Sequence, residues 1–166
     1  MTPDPIQEYR KGDFLVSTDR SKLDVDGIHE FLTNCYWAKG IPEETVLRSI
    51  ANSLCFGVYG GGKQVGFARV ISDFATYAYI GDVFVLEAFR GYGLGKWLME
   101  CIVAHPFLHG LRRWTLATRD AHGLYAQFGF TPLQAPRSLD GAPRSQGLRG
   151  FQILSGRFAD RLRKVE

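Results

Sequence analysis

The stretch Phe89-Arg90-Gly91-Tyr92-Gly93-Leu94-Gly95-Lys96-Trp97-Leu98 sets glycine at alternate positions and then runs directly into an apolar repeat. Leu94, Trp97, Leu98, Cys101 and Ile102 fall at i, i+3, i+4, i+7 and i+8, one face of a helix, so the glycines stand at a helix N-terminus. The first N–H groups of a helix have no intrahelical acceptor, and the aligned peptide dipoles put about half a positive charge there. A pyrophosphate can take several of those N–H groups where glycine keeps Cβ atoms out of the way. Arg90 and Lys96 add positive charge at the rim.

The pattern extends outward in both directions. Upstream, Tyr77 to Leu86 reads as a strand whose last part, Gly81-Asp82-Val83-Phe84-Val85-Leu86, leads into Arg90. Before it, Leu54 to Tyr59, the turn Gly60-Gly61-Gly62-Lys63 and Gln64 to Ser72 form an antiparallel hairpin, because glycine supplies the positive φ of a tight turn. Nearer the N-terminus, Phe14-Leu15-Val16 is a short strand. Ile28, Phe31, Leu32, Cys35 and Tyr36 mark a helix capped by Asp24 or Asp26, and a second helix opens at Pro42-Glu43-Glu44 and buries Val46, Leu47, Ile50 and Leu54. Downstream, the glycine-led helix stops near Pro106. Arg113 to Thr118 is a strand, Asp120 to Phe128 a short helix ended by Gly129, and Phe130 to Leu133 begins another strand. This order predicts an α+β (mixed α/β) fold, one layer of sheet with helices against it.

Composition narrows the function. At 166 residues, 45% hydrophobic and 22% charged, the chain fits one domain with its own core, and no apolar run approaches a membrane span. The polar start MTPDPIQEYRKGD carries no signal-peptide pattern, which predicts a cytoplasmic protein. Cys35, Cys55 and Cys101 lie among apolar neighbours and read as reduced core thiols. His105 and His109 flank Pro106 with no carboxylate or thiol cluster, so they read as a surface loop and no metal is expected. The net charge of +3 gathers beyond Arg137, leaving the main domain near neutral and giving no nucleic-acid surface. A dinucleotide fold would need the glycines after the first strand of a βαβ unit and an acid about 20 residues on; the residues there are Leu111-Arg112-Arg113.

Arg90-Gly91-Tyr92-Gly93-Leu94-Gly95, with the strand before it, resembles the R/Q-x-x-G-x-G/A signature of the GNAT superfamily of acetyl-CoA-dependent N-acetyltransferases. Leu124-Tyr125-Ala126-Gln127-Phe128-Gly129-Phe130 is similar to that family's L-Y-x-x-x-G-F motif, in the family's order. The resemblance runs from about Phe14 to Leu133. It implies residues 1–134 as the acetyltransferase domain, with a single central mixed, mostly antiparallel sheet flanked by helices. Residues 135–166 form a divergent basic tail, with Phe151 to Leu154 or a partner subunit as the source of a closing strand.

The resemblance further implies acetyl-CoA as cosubstrate, its pyrophosphate on the N–H groups from Tyr92 to Lys96, including Gly93, Leu94 and Gly95. The pantetheine arm would run along Val83, Phe84 and Val85 like an added strand, with the thioester between that strand and Arg113 to Thr118. The acceptor is expected to be a small-molecule or protein amine, and a homodimer is in keeping with the family. A non-catalytic acyl-CoA-binding module on the same fold is the other reading.

Acetyl transfer needs a neutral amine, a stabilised oxyanion and a proton donor for the leaving thiolate. By resemblance Tyr125 stands at the general acid; by pattern alone it shares an apolar face with Leu124 and Phe128 and reads equally as core. Asp120 either contacts the pantetheine arm or caps the helix. Asp82, on the face of its strand opposite Val83 and Val85, is the candidate base or water-positioning group, or else pairs with Arg69 or Lys63; Glu87 is the weaker choice. The N–H of Val85 is the oxyanion donor by analogy. In Tyr36-Trp37-Ala38-Lys39-Gly40, Trp37 is the candidate acceptor wall, while Tyr36 reads as completing the helix face.

Overall fold

A computed structural model describes residues 5–133 and 152–156. Its strands are β1 (Glu8–Lys11), β2 (Phe14–Ser17), β3 (Leu54–Gly60), β4 (Lys63–Ser72), β5 (Tyr77–Val85), β6 (Arg113–Thr118), β7 (Thr131–Pro132) and β8 (Gln152–Gly156). The helices are α1 (Val25–Asn34), α2 (Glu43–Ala51), α3 (Leu94–Ala104) and α4 (His122–Ala126). The strands form one eight-stranded sheet in the order β1-β2-β3-β4-β5-β6-β8-β7. Every described pairing is antiparallel except β5 with β6, which are joined through α3 as a parallel crossover must be. The fold is therefore the mixed, mostly antiparallel sheet with flanking helices that the sequence predicts.

Helices cover both faces of the sheet. Beneath α3 and α4 lies a cluster holding Val58, Val70, Ile80, Leu98, Met99, Ile102, Trp114 and Leu116; on the other face α1 and α2 bury Ile28, Leu32, Val46 and Ile50 against Phe67 and Phe84. Six side chains of α3 are buried. At about 1.5–3 kcal/mol each they outweigh the ~1 kcal/mol that glycine costs inside a helix, so an anchored helix can begin on a glycine-rich entry.

Several local expectations change. The Gly61-Gly62 turn has φ of +60° and +77°, the positive pair of a two-residue hairpin loop. Asp24 alone caps α1, its Oδ1 accepting from the Gly27 N–H at 3.0 Å. Leu47 is 46% exposed and Leu54 belongs to β3, so α2 buries Val46 and Ile50 only. An edge strand, β1, precedes β2 across a Gly12-Asp13 turn; its sequence Glu-Tyr-Arg-Lys shows no apolar alternation because only Tyr9 turns inward, packing against the core, while its neighbours are exposed. His105 is not on a surface loop: it is 1% exposed, edge-on to Phe56, with Nδ1 accepting from the Phe107 N–H. The start of α4 is Ala121 without a side-chain cap, so Asp120 caps nothing. Cys55 and Cys101 are buried free thiols, pushed up to about 12 by burial, and Cys35 is half-buried. In the tail, β8 pairs with both β6 and β7 and so enters the sheet from this chain. Pro136 to Gly150 lies outside the described residues, as does the chain after Gly156. No helix among the described residues is long and apolar enough to cross a membrane.

Candidate active site

Two departures from regular sheet geometry make the site. The parallel pairing of β5 with β6 runs from Tyr77–Arg113 to Ile80–Leu116 and stops, while β6 continues to Thr118 and β5 to Val85. Beyond Ile80 the strands part, and the β5 backbone there has no strand on its β6 side. The Leu86 N–H donates to Val65 O at 2.8 Å on the β4 side, so alternation turns the Val85 N–H and C=O towards the gap. Arg90 Nε donates to that carbonyl at 3.3 Å. The second departure is a bulge: Phe67 faces Phe84 and Arg69 faces Gly81, so Asp82 and Val83 together oppose Ala68. Asp82 takes φ of +53°, uncommon for a residue with a side chain.

At one end of the gap lies the N-terminus of α3. Gly91 has φ of +88° and Gly93, the residue preceding the helix, φ of +73° with no side-chain cap. The first backbone bond of the helix is Trp97 N–H to Gly93 O, which leaves the preceding N–H groups facing outward. A Cβ added at Gly95 would meet nothing nearer than Leu124 Cδ2 at 3.8 Å, so that residue keeps open space in front of the helix. The donors, the open approach and the charges of Arg90 and Lys96 fit a pyrophosphate group.

At the other end the gap opens into a cavity of about 490 Å³ lined by Tyr36, Trp37, Arg69, Tyr79, Asp82, Thr118, Asp120 and Tyr125 among others. Tyr125, from α4, is 6% exposed and meets Phe130 edge-on at 6.1 Å. Burial pushes its phenol up to about 12, with the nearby Tyr36, Asp120 and Tyr79 adding to the shift. It stays a protonated donor across any ordinary pH. Asp82 Oδ2 accepts from Arg69 Nε at 2.8 Å, both side chains being mostly buried, and Arg69 Nη1 donates to Ser53 Oγ at 3.2 Å. Of the pairings open for Asp82, Arg69 is therefore the one made.

The structure brings Asp82, Val83, Asp120, Tyr125 and Trp37 to one cavity, and Arg90 to Lys96 to the far end of the same gap. Phe84 points the other way, stacked on Phe31 at 3.8 Å beneath α1, so only its backbone can serve a ligand in the gap. Trp37 also lines a second hollow of about 550 Å³ with Ala38, Ile41, Thr45 and Ser49, which shares Tyr36, Arg69 and Asp82 with the first. Sequence reasoning missed Tyr36 and Tyr79 as lining residues, and named Arg69 only as a partner for Asp82. Tyr36 does not complete the α1 face: it is 42% exposed, edge-on to Trp37 at 4.9 Å, with the Arg119 guanidinium 3.9 Å above its ring. Tyr79 was readable as the position two before Gly81 on the face opposite Ile80. Among the described residues no group of three or more metal-ligating side chains could hold an ion.

Known proteins are similar to this chain in sequence and in fold. The family model for the acetyltransferase (GNAT) family matches residues 25–130. A candidate acetyltransferase of Gibberella zeae is 33% identical over 144 residues, covering 73% of this chain and 80% of its own. The crystal structure of a candidate GNAT-family acetyltransferase from Xanthomonas campestris pv. campestris is 54% identical with a TM-score of 0.74, over 82% of this chain and 94% of that one. A GNAT family acetyltransferase from Elizabethkingia anophelis, crystallised with acetyl-CoA bound, shares the fold with a TM-score of 0.60 at 14% identity, over 89% of this chain and 100% of that one.

Proposed function

The chain belongs to the GNAT family of acetyltransferases, and from that premise we propose that it moves the acetyl group of acetyl-CoA to a primary amine by direct attack through a tetrahedral intermediate. The observation that carries this reading is the single gap between β5 and β6, with uncapped helix donors at one end and a protonated, buried phenol at the other.

The roles follow from position. The N–H groups from Tyr92 to Lys96, through Gly93, Leu94 and Gly95, bind the pyrophosphate, and Arg90 and Lys96 balance its charge. The open β5 backbone at Val83, Phe84 and Val85 takes the pantetheine arm, with Asp120 at its side. The Val85 N–H faces the gap and donates to the carbonyl oxygen as it gains charge. Tyr125 donates to the departing sulfur. The acceptor comes over Trp37, and Asp82 draws in its ammonium or orders a water beside it, with Arg69 holding the carboxylate in place.

The test is release of free thiol from acetyl-CoA across a panel of small amines, amino acids, polyamines and lysine peptides, against a blank without acceptor. Amine-dependent release matched by N-acetyl product is expected. Tight acetyl-CoA binding with no amine-dependent release across the panel would instead establish the non-catalytic binding module.

A further inference from the structure

The cavity below Tyr125 and the second hollow share Tyr36, Trp37, Arg69 and Asp82, so they are two chambers of one cleft with the Arg69–Asp82 ion pair in the lining of both. Their charges balance in opposite senses. In the first chamber Asp82 and Asp120 stand against Arg69; in the second Lys39 and Arg69 stand against Asp82, and Thr45 and Ser49 add hydroxyls. Asp82 is already held by Arg69 at 2.8 Å, so Lys39 is the charge left over in the second chamber, and it makes no ion pair among the described residues. Beside this chamber α2 opens at Pro42 without a side-chain cap, and the positive end of its dipole acts in the same sense. The acids of its first turn, Glu43 and Glu44, are exposed and stand outside the lining. The Trp37 indole N–H, from the wall common to both chambers, is shielded from solvent and has no acceptor among the described residues. Native proteins leave few buried donors in that state. The segment that carries Lys39 is held in place: the Gly40 N–H donates to Thr33 O at 2.9 Å, the Ile41 N–H to Ala38 O at 3.0 Å, and His29 Nε2 bonds Ile41 O at 3.0 Å.

We propose that the second chamber holds a carboxylate at the far end of the acceptor, so that the acceptor is an amino acid rather than a polyamine or a plain alkylamine. Its amine end occupies the first chamber with Asp82 and Asp120, and its carboxylate reaches past Trp37 to Lys39, with the Thr45 hydroxyl and the indole N–H as further donors. A diamine in the same place would set its second cation against Lys39 and Arg69, and an alkylamine would leave the donors of the second chamber unmet. The inference names the acceptor class for the acetyl transfer above and rests on that reading.

The test measures kcat/KM for straight-chain ω-amino acids from glycine upward, each against its own primary amide, which keeps the length and removes the charge. The wild type should prefer the best acid to its amide by about tenfold or more, the size of a hydrogen bond to a charged group, with the difference carried by KM. Lys39 is exposed, so its side chain can be exchanged without opening the core. Lys39→Ala should remove most of the preference, Lys39→Glu should reverse it, and Lys39→Arg should keep it. The readout is a ratio of acid to amide compared between wild type and variant, so differences in amine basicity and any general loss of activity cancel. A wild type that takes acid and amide about equally, one that acetylates other amines but none of the acids, or a preference that Lys39→Ala and Lys39→Glu both leave intact would overturn the carboxylate subsite. Absence of amine-dependent turnover with every amine tried would overturn the acetyltransferase reading itself, a separate result.

Discussion

Replacing Tyr125 by Phe removes one hydroxyl and keeps the ring. The ring is 6% exposed and its edge-on contact with Phe130 survives, so folding should change by less than the ~1 kcal/mol of a typical hydrogen bond. Turnover should change more. A phenol at about 12 facing a simple thiol at about 8.5 would hand over its proton only about 5 kcal/mol uphill, so Tyr125 acts mainly as a hydrogen-bond donor to the sulfur as charge builds. A hydrogen bond to a charged partner is worth about 1.5–3 kcal/mol, which is about 10- to 150-fold in kcat. The sign of the pH effect follows from the same shift. Burial raises the phenol's pKa, so the donor is intact below about 12 and the ratio of wild type to variant stays flat from acid pH through mild alkali. Steady-state thiol release at saturating acetyl-CoA measures kcat, and calorimetry with acetyl-CoA should give unchanged affinity. A kcat within twofold of wild type, or a ratio that collapses as pH rises through the ordinary thiol range, refutes this role for Tyr125.

Two further substitutions test the other parts of the site. Gly95→Asp places a carboxylate where Cβ has free space and where the helix dipole favours a negative charge by about 0.3–1 kcal/mol, so the thermal midpoint should hold or rise. Acetyl-CoA binding should nevertheless weaken about a hundredfold or more, from Coulomb repulsion with the pyrophosphate; normal binding by calorimetry removes the helix terminus as its seat. Asp82→Asn and Asp82→Ala both leave Arg69 without its carboxylate, a loss of about 1–3 kcal/mol. Asn tolerates φ of +53° and Ala does not, so urea denaturation should place Asp82→Ala about 1–2 kcal/mol below Asp82→Asn. Equal stability of the two would show that the bulge relaxes when the ion pair is gone.

The features legible in the sequence were those written in local periodicity. The apolar face of α3, the glycines before it and the hairpin at Gly61-Gly62 each depend on residues within a few positions of one another, so spacing alone finds them. What stayed hidden depends on partners far apart in the chain. Tyr36 fits the α1 repeat at i+8 but falls past the helix end at Asn34, where the chain turns and sends the ring towards Arg119. Arg69 was one of two cations offered to Asp82 across the hairpin, and only the register of β4 against β5 decides for it over Lys63. β1 turns a single residue, Tyr9, onto the core, too little to write an apolar alternation, and His105 was misread because an imidazole beside a proline gives no sign of the Phe56 ring above it.

The bulge in β5 shows why one local irregularity is worth keeping. Ile80 packs in the cluster beneath α3, and strict alternation would send Asp82 into that same cluster and turn Val83 and Val85 out of it. Instead Val83 and Val85 pack against the cluster, three and five positions beyond Ile80, because the extra residue reverses the phase of the strand. Asp82 then lies on the opposite face, with Arg69. The left-handed backbone at Asp82 costs about 1–2 kcal/mol. An unpaired carboxylate buried among Ile80, Leu98 and Ile102 would cost several kcal/mol, so the strained conformer is the cheaper of the two. The same phase change leaves the polar side of β5 on the acceptor side of the cavity and its apolar side against α3. A strand that must be core on one side and active site on the other, along so short a run, needs a residue that breaks its own alternation.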